Sequence, residues 1–446
     1  MIRTIYKELE SWKNSENRKV ILLRGARQVG KTYIVRELGK TFDHFLEVNF
    51  ESEPEIKAFF EGNLNPTDIS TKLSAYYGIP IVEGKTLLFF DEIQACIPAI
   101  QSLRYFYEKA PGLHVIAAGS LLEFSLEQLP SFGVGRVRSL FMYPLSFNEF
   151  LIAAKQEGLL KTKNDASPFN ELQEAFHRNL IEWFRKFFII GGMPEAVKTF
   201  LETNDIAAAQ NILDDIVNSL QDDFLKYNER VNTSRLKDVF LSVMSQTGGK
   251  FNINQSSDSG NHQQKKEALE MLEMAGLCYK IHHSSANGIP LAAEKNSKKF
   301  KVVFFDTGII QRYLKINISD FLISKEISMI NKGSLAEQFV GLELLKYLFH
   351  KSKPDLYYWH REKQGSSAEV DYVIELKNKI IPIEVKSGTQ GKMQSMNIFI
   401  EQKNADFGIR VSMENFSKYQ NILVYPIYAV DRLLFLLDYS HELKKN

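Results

Sequence analysis

The stretch Gly25-Ala26-Arg27-Gln28-Val29-Gly30-Lys31-Thr32 does more than any other to limit what this chain can fold into. It follows a short apolar run, Val20 to Leu23, and opens a helical pattern from Lys31 to about Lys40, so it reads as the turn between a strand and a helix. In that context the spacing G-x-x-x-x-G-K-[ST] specifies a phosphate-binding loop. The glycines let the backbone curl until successive N–H groups face an anion, and the helix N-terminus adds a favourable dipole. Lys31 is then expected to bridge the β- and γ-phosphates of ATP, and the Thr32 hydroxyl to ligate Mg²⁺.

Two more uninterrupted apolar runs, Thr86 to Phe90 and Leu113 to Ala118, are each followed by polar residues and a helical pattern. Apolar strands alternating with helices imply an α/β fold around a parallel sheet covered on both faces. The first run ends in Asp91-Glu92, two carboxylates delivered at a strand end. Behind a phosphate loop, Asp91 is expected in the magnesium shell and Glu92 as the group that orients or deprotonates the attacking water. The second run ends in Ala118-Gly119-Ser120, where Ser120 reads either as a sensor of the γ-phosphate or as a helix N-cap. Arg136 and Arg138 offer guanidinium groups for charge on the transferring phosphoryl, in cis or from a neighbouring subunit; a surface salt bridge is the competing reading.

At 446 residues the chain is long enough for several domains. Helical periodicity runs from about Pro144 to Asn232. Two helical stretches, Leu236 to Met244 and Lys265 to Ala275, flank the polar segment Asn252 to Gln264, and short strand patterns at Leu277 to His282 and Val302 to Phe305 suit a winged-helix-like unit. After Gly333 a helix precedes strand-like runs at Leu356 to Trp359, Val370 to Ile374, Ile380 to Val385, Phe407 to Val411 and Ile422 to Val424. The expected division is residues 1–143, 144–232 (helical lid), 233–324 (winged-helix-like) and 325–446. The 55 Lys and Arg nearly cancel the 54 Asp and Glu, so no whole-chain field favours nucleic acid or an anionic membrane. Two distant cysteines, Cys96 and Cys278, suggest neither a disulfide framework nor a zinc site and fit a reducing cytoplasm. No apolar run reaches the roughly 18 residues of a membrane span.

The last segment carries a second acidic group. If the strands holding Glu369-Val370-Asp371 and Glu384-Val385-Lys386 pair as a hairpin, Asp371, Glu384 and Lys386 converge; residues two apart in a strand share a face. Two carboxylates and a lysine can bind one or two Mg²⁺ ions and activate water against a phosphodiester; a surface hairpin of alternating charge, or a site that binds without cutting, is the alternative. His282, His283 and His360 lack partners at metal spacing and read as surface histidines.

The first 150 residues resemble the AAA-type P-loop ATPases of bacteria and archaea that carry a C-terminal domain of uncertain role. The likeness lies in Gly25 to Thr32, Phe90-Asp91-Glu92-Ile93-Gln94, Ala118-Gly119-Ser120, Gly135-Arg136 and Tyr143 to Phe150. Gly191-Gly192-Met193-Pro194 is similar to a turn of the related signal-transduction (STAND) ATPases, where it lies near the nucleotide. Asp371 and Glu384-x-Lys386 resemble the PD-(D/E)XK nuclease superfamily, with Val370 in place of its proline; the resemblance adds Glu337 on the preceding helix as a further metal-binding acid. It extends to Tyr358 to Arg361 and to Lys386-Ser387-Gly388. Together these likenesses imply a restriction-endonuclease-like C-terminal domain acting on DNA or RNA under ATP control, or a regulatory switch or binding module without nuclease activity. A homo-oligomer is implied if Arg136 acts in trans.

Overall fold

A computed structural model of the protein describes residues 1–120, 122–127, 129, 135–227, 231–256, 260–315, 332–361, 368–388 and 393–439. The boundary expected at 324/325 and residues 257–259 of the polar segment lie outside the described residues. The chain divides into two compact units: Met1–Tyr143 with Met274–Gly276 and His350–Lys353, and Pro144–Glu273 with Leu277–Phe349 and Pro354–Asn446.

In the first unit, β1 (Val20–Arg24), β2 (His44–Asn49), β3 (Thr86–Asp91), β4 (His114–Ala118) and β5 (Val137–Phe141) form a sheet ordered β2-β3-β4-β1-β5, with every neighbouring pair parallel. Every residue of β1, β3 and β4 is buried, as central strands covered on both faces require. The edges differ. β2 buries only Leu46 and Val48 in alternation, and β5 only Leu140. One face of the sheet is closed by Phe50, Phe60, Phe90 and Phe106, whose rings meet at centroid distances of 5.2 to 5.8 Å, near the helix Ile97–Lys109 that supplies Phe106. Pro66–Tyr77 is a second helix: Asn65 accepts from the Thr67 N–H at its start and Gly78 ends it in the left-handed region.

The second unit is built on an eight-stranded mixed sheet ordered β12-β13-β11-β10-β9-β8-β6-β7. Its strands are β6 (Cys278–Ser284), β7 (Lys295–Phe304), β8 (Leu356–His360), β9 (Glu369–Leu376), β10 (Lys379–Val385), β11 (Gly408–Ser412), β12 (Ser417–Tyr419) and β13 (Ile422–Pro426). The strand patterns expected from the sequence in this region all appear. The hairpin β6–β7, which falls in the winged-helix-like segment together with the helices Thr233–Ser245 and His262–Met274, is hydrogen-bonded through β6 to β8 and is therefore continuous with the C-terminal sheet.

The helix Lys332–Leu348 approaches β9 so closely that a Cβ at Gly341 would lie 2.3 Å from the Tyr372 hydroxyl, and that hydroxyl donates to the Glu337 carbonyl at 2.7 Å. The helical region packs within this same unit. Phe184, Phe187 and Phe188 of the helix Glu174–Ile190 surround Phe339 at 4.9 to 6.3 Å, and Ser146 and Glu149 form a capping box at the start of Phe147–Ala153. The Gly191-Gly192-Met193-Pro194 turn is held by buried Asp306, which accepts from the Gly192 N–H at 2.7 Å. Among the described residues no helix is long and apolar enough to cross a membrane.

Candidate functional site

The loop from Gly25 to Thr32 leaves the end of β1 and enters the helix Lys31–Gly39. Gly25 has φ +139°, and a Cβ there would lie 2.1 Å from the Met142 carbonyl oxygen, so only glycine fits. Gln28 (φ 61°) and Gly30 (φ 95°) also stand in the left-handed region, which turns successive amides to one side as an anion-binding concavity does. Lys31 curls back over this loop and donates to the carbonyls of Gly25 (2.9 Å) and Ala26 (2.7 Å). Burial lowers its ammonium pKa to about 8, against the opposing pull of Glu92 and Asp91. A cation stripped of water and bonded only to neutral oxygens is poised for a phosphate. A glycine far along the chain also contributes: a Cβ at Gly276 would sit 3.1 Å from the Ala26 nitrogen, so this turn packs against the loop within the same unit.

The Thr32 hydroxyl donates to Asp91 Oδ2 at 2.9 Å, and the Glu92 N–H to Asp91 Oδ1 at 3.1 Å. Burial raises the Asp91 pKa, and the Thr32 hydrogen bond counters it. A hydroxyl and a carboxylate in contact are the hard oxygen donors that Mg²⁺ takes, so these two residues fit the ion. Glu92 stands in the left-handed region (φ 47°), and its Oε2 accepts from Gln94 Nε2 at 2.6 Å and from the Ser120 hydroxyl at 3.3 Å. Ser120 in turn accepts from Arg27 Nε at 3.0 Å, so a chain of side chains runs from the phosphate loop to the second carboxylate. Ser120 and Arg27 are legible in the sequence as loop and sensor candidates, whereas Gln94, the Glu92 partner, is signalled only by its place two residues after that glutamate.

Arg136 is not brought to this site. It precedes β5, whose Val137 pairs with Val20 at the beginning of β1, whereas the phosphate loop follows the end of β1. About four strand residues, or ~13 Å, separate the two levels, and Arg136 Nε pairs with Glu108 at 2.5 Å. An action on the loop of its own chain does not fit this placement.

In the second unit, β9 and β10 pair antiparallel as expected; Tyr372 faces Ile383, which sets Asp371 opposite Glu384 one step further on. Asp371 Oδ2 accepts from the Val385 N–H at 2.8 Å, and Lys386 Nζ meets Glu384 Oε1 at 2.5 Å. Glu337 joins them from the helix Lys332–Leu348. The group the sequence did not disclose is Lys301 of β7, whose buried Nζ lies 2.7 Å from Glu369 Oε1, 3.2 Å from Glu337 Oε2 and 3.7 Å from Asp371 Oδ1. Burial and the nearby Asp371 carboxylate raise the Glu337 pKa to about 8 despite Lys301, and burial raises those of Asp371 and Glu384. Burial pushes the Lys301 ammonium down, but Glu337, Asp371 and Glu369 outweigh this and its pKa stands raised. His283, expected at the surface, is 1% exposed and its ring centroid lies 4.4 Å from that of His360. Among the described residues, no three or more His, Cys, Asp or Glu side chains are arranged to hold a metal ion.

A lysine-bearing phosphate loop after one strand, facing an acid-ended strand two places away in a parallel sheet, defines the P-loop class of nucleotide sites. The chain carries an AAA-type domain of this class: residues 17–151 match the AAA domain family. Residues 181–320 and 332–430 match two domains of unknown function, DUF8612 and DUF4143. No match is found among the curated proteins. Among solved structures, the chain is similar to the Walker-type ATPase PABY2304 of Pyrococcus abyssi, at 14% identity and TM-score 0.43, covering 69% of this chain and 94% of that one. It is also similar to the ADP form of the ORC2 protein of Aeropyrum pernix, at 11% identity and TM-score 0.31 over 72% and 96% of the two chains. A third likeness is to the STAND protein PH0952 of Pyrococcus horikoshii, which has a tetratricopeptide repeat sensor, at 15% identity and TM-score 0.26 over 78% and 46%.

Proposed function

We propose that the chain binds Mg·ATP on Gly25 to Thr32 and hydrolyses it with Glu92 as general base. The observation that carries this reading is the Thr32 hydroxyl bonded to Asp91 at 2.9 Å beside a buried Lys31 folded onto the loop. Loop amides and Lys31 hold the phosphates, and Thr32 and Asp91 hold the metal. Bound Mg²⁺ supplies neutralisation of charge on the phosphate oxygens. Glu92 takes the proton of the attacking water; both of its side-chain bonds described above fall on Oε2, so Oε1 is the oxygen offered to that water. Ser120 and Gln94 fix the carboxylate. We assign the protein to the cytoplasm, a reading supported by two cysteines that are both buried and free.

Calorimetric titration with Mg·ATP tests the binding step. Near pH 8 the free Lys31 ammonium, with a pKa of about 8, is roughly half protonated, and the arriving phosphates raise that value; binding is expected to take up roughly half a proton. The observed heat should therefore depend on the ionisation enthalpy of the buffer at pH 8 and lose that dependence at pH 6. No heat from folded protein in any buffer would remove the assignment.

We infer that the second unit is a regulatory or nucleic-acid-binding module that responds to the nucleotide state without cutting, rather than a nuclease using Asp371, Glu384 and Lys386. Lys301 among the carboxylates favours it. Incubation with DNA or RNA, Mg²⁺ or Mn²⁺, and ATP is expected to leave the nucleic acid intact. Cleavage that disappears in Asp371→Ala would restore the nuclease reading.

A further inference from the structure

A two-carboxylate site of the kind that cuts phosphodiesters gathers its acids around a metal ion, at oxygen distances of about 2.0–2.1 Å for Mg²⁺. Here the acids are gathered around something else. Glu337, from the helix Lys332–Leu348, and Glu369 and Asp371, from β9, converge on the Nζ of Lys301, a side chain 4% exposed and supplied by the hairpin strand β7. Each remaining acid function has its own cation or donor: Lys250 lies 3.0 Å from Glu369, Lys386 lies 2.5 Å from Glu384, and the Val385 N–H serves Asp371. The carboxylates Glu369, Asp371 and Glu384 thus face the lysines Lys250, Lys301 and Lys386, and Glu337 shares Lys301. An added divalent ion would meet a buried ammonium at the point where the acids converge, and the two cations would repel in a poorly screened interior.

We propose that Lys301 is the resident cation of this carboxylate cluster, filling the place of a divalent metal ion, so that the C-terminal unit binds no Mg²⁺ or Mn²⁺ there. The assignment deepens the non-cutting reading above and rests on the same cluster. It assigns β7 a part that neither the acid pattern nor the Glu-x-Lys spacing discloses. It also identifies a latent metal site. Without the Lys301 ammonium, Glu337, Glu369 and Asp371 lose their shared partner, and the Glu384 carboxylate, set opposite Asp371 across the β9–β10 pair, is the nearest further ligand.

Mn²⁺ binding to the full-length chain, without nucleotide, measured from the spectrum of the free ion, tests this. Wild type and Asp371→Asn are expected to bind the same number of ions at sub-millimolar Mn²⁺. Lys301→Met should bind one more than wild type, and Lys301→Met combined with Asp371→Asn should lose it. Wild type binding one ion more than Asp371→Asn would overturn the proposal, as would a folded Lys301→Met that gains none. If Lys301→Met does not fold, the comparison of wild type with Asp371→Asn, repeated with Glu337→Gln, decides alone. Cleavage of DNA or RNA by wild type in a chelator, lost in Asp371→Ala, would sink the non-cutting reading and leave the cation assignment standing.

Discussion

Lys31→Ala is expected to abolish ATP binding at millimolar nucleotide while leaving the fold intact. The ammonium of Lys31 is already dehydrated and hydrogen-bonded only to the carbonyls of Gly25 and Ala26, so its burial is a cost that a bound phosphate would repay. Removing a charge-assisted partner of the phosphates costs about 3 kcal/mol or more, roughly a hundredfold in affinity. Alanine leaves no unpaired charge behind, so the melting temperature without nucleotide should hold, while the rise that wild type shows on adding Mg·ATP disappears. A Lys31→Ala protein that still melts higher with Mg·ATP would remove the lysine from the phosphate site.

Glu92→Gln is expected to bind Mg·ATP as wild type does and to lose turnover by a factor on the order of 10² to 10⁴, the usual contribution of a positioned general base. Glutamine keeps the shape and can still accept from Gln94 and Ser120 through its amide oxygen, but it cannot take a proton at neutral pH. Phosphate release measured beside nucleotide affinity separates the two effects. Equal turnover would take Glu92 out of the chemistry, whereas a parallel loss of affinity would mean that it positions the nucleotide instead.

What the sequence disclosed follows from where each element sits. The strands β1, β3 and β4 are buried on both faces, so their apolar runs are continuous and stand out; β2 and β5 lie at the sheet edges, where one face is shared with solvent and the pattern thins to Leu46 and Val48, or to Leu140. That is why the sequence leaves Arg136 open between a cation for the phosphates and a surface salt bridge, and only the placement of β5 at the far level of the sheet, with Glu108 beside it, favours the second. The phosphate loop was legible because its chemistry is contiguous. The acids Asp371 and Glu384 were legible as one hairpin because their spacing is local. Lys301 was not: it reaches Glu337 and Asp371 only through the addition of β6 and β7 to the C-terminal sheet, a tertiary event with no signature in a strand that opens Lys-Asn-Ser-Lys-Lys.

The strand order places β4 between β1 and β3, so the backbones that carry the loop and the acids lie two interstrand steps apart, about 10 Å. No ladder bond joins them directly; the span is bridged by Thr32 to Asp91 on one side and by Arg27, Ser120 and Glu92 on the other. The reacting seam is thus stitched by side chains alone, while the girders that flank it are welded to β4. Such a seam can be opened, closed or disarmed by trimming a single stitch without loosening the frame, which separates the durability of this unit from the tuning of its chemistry.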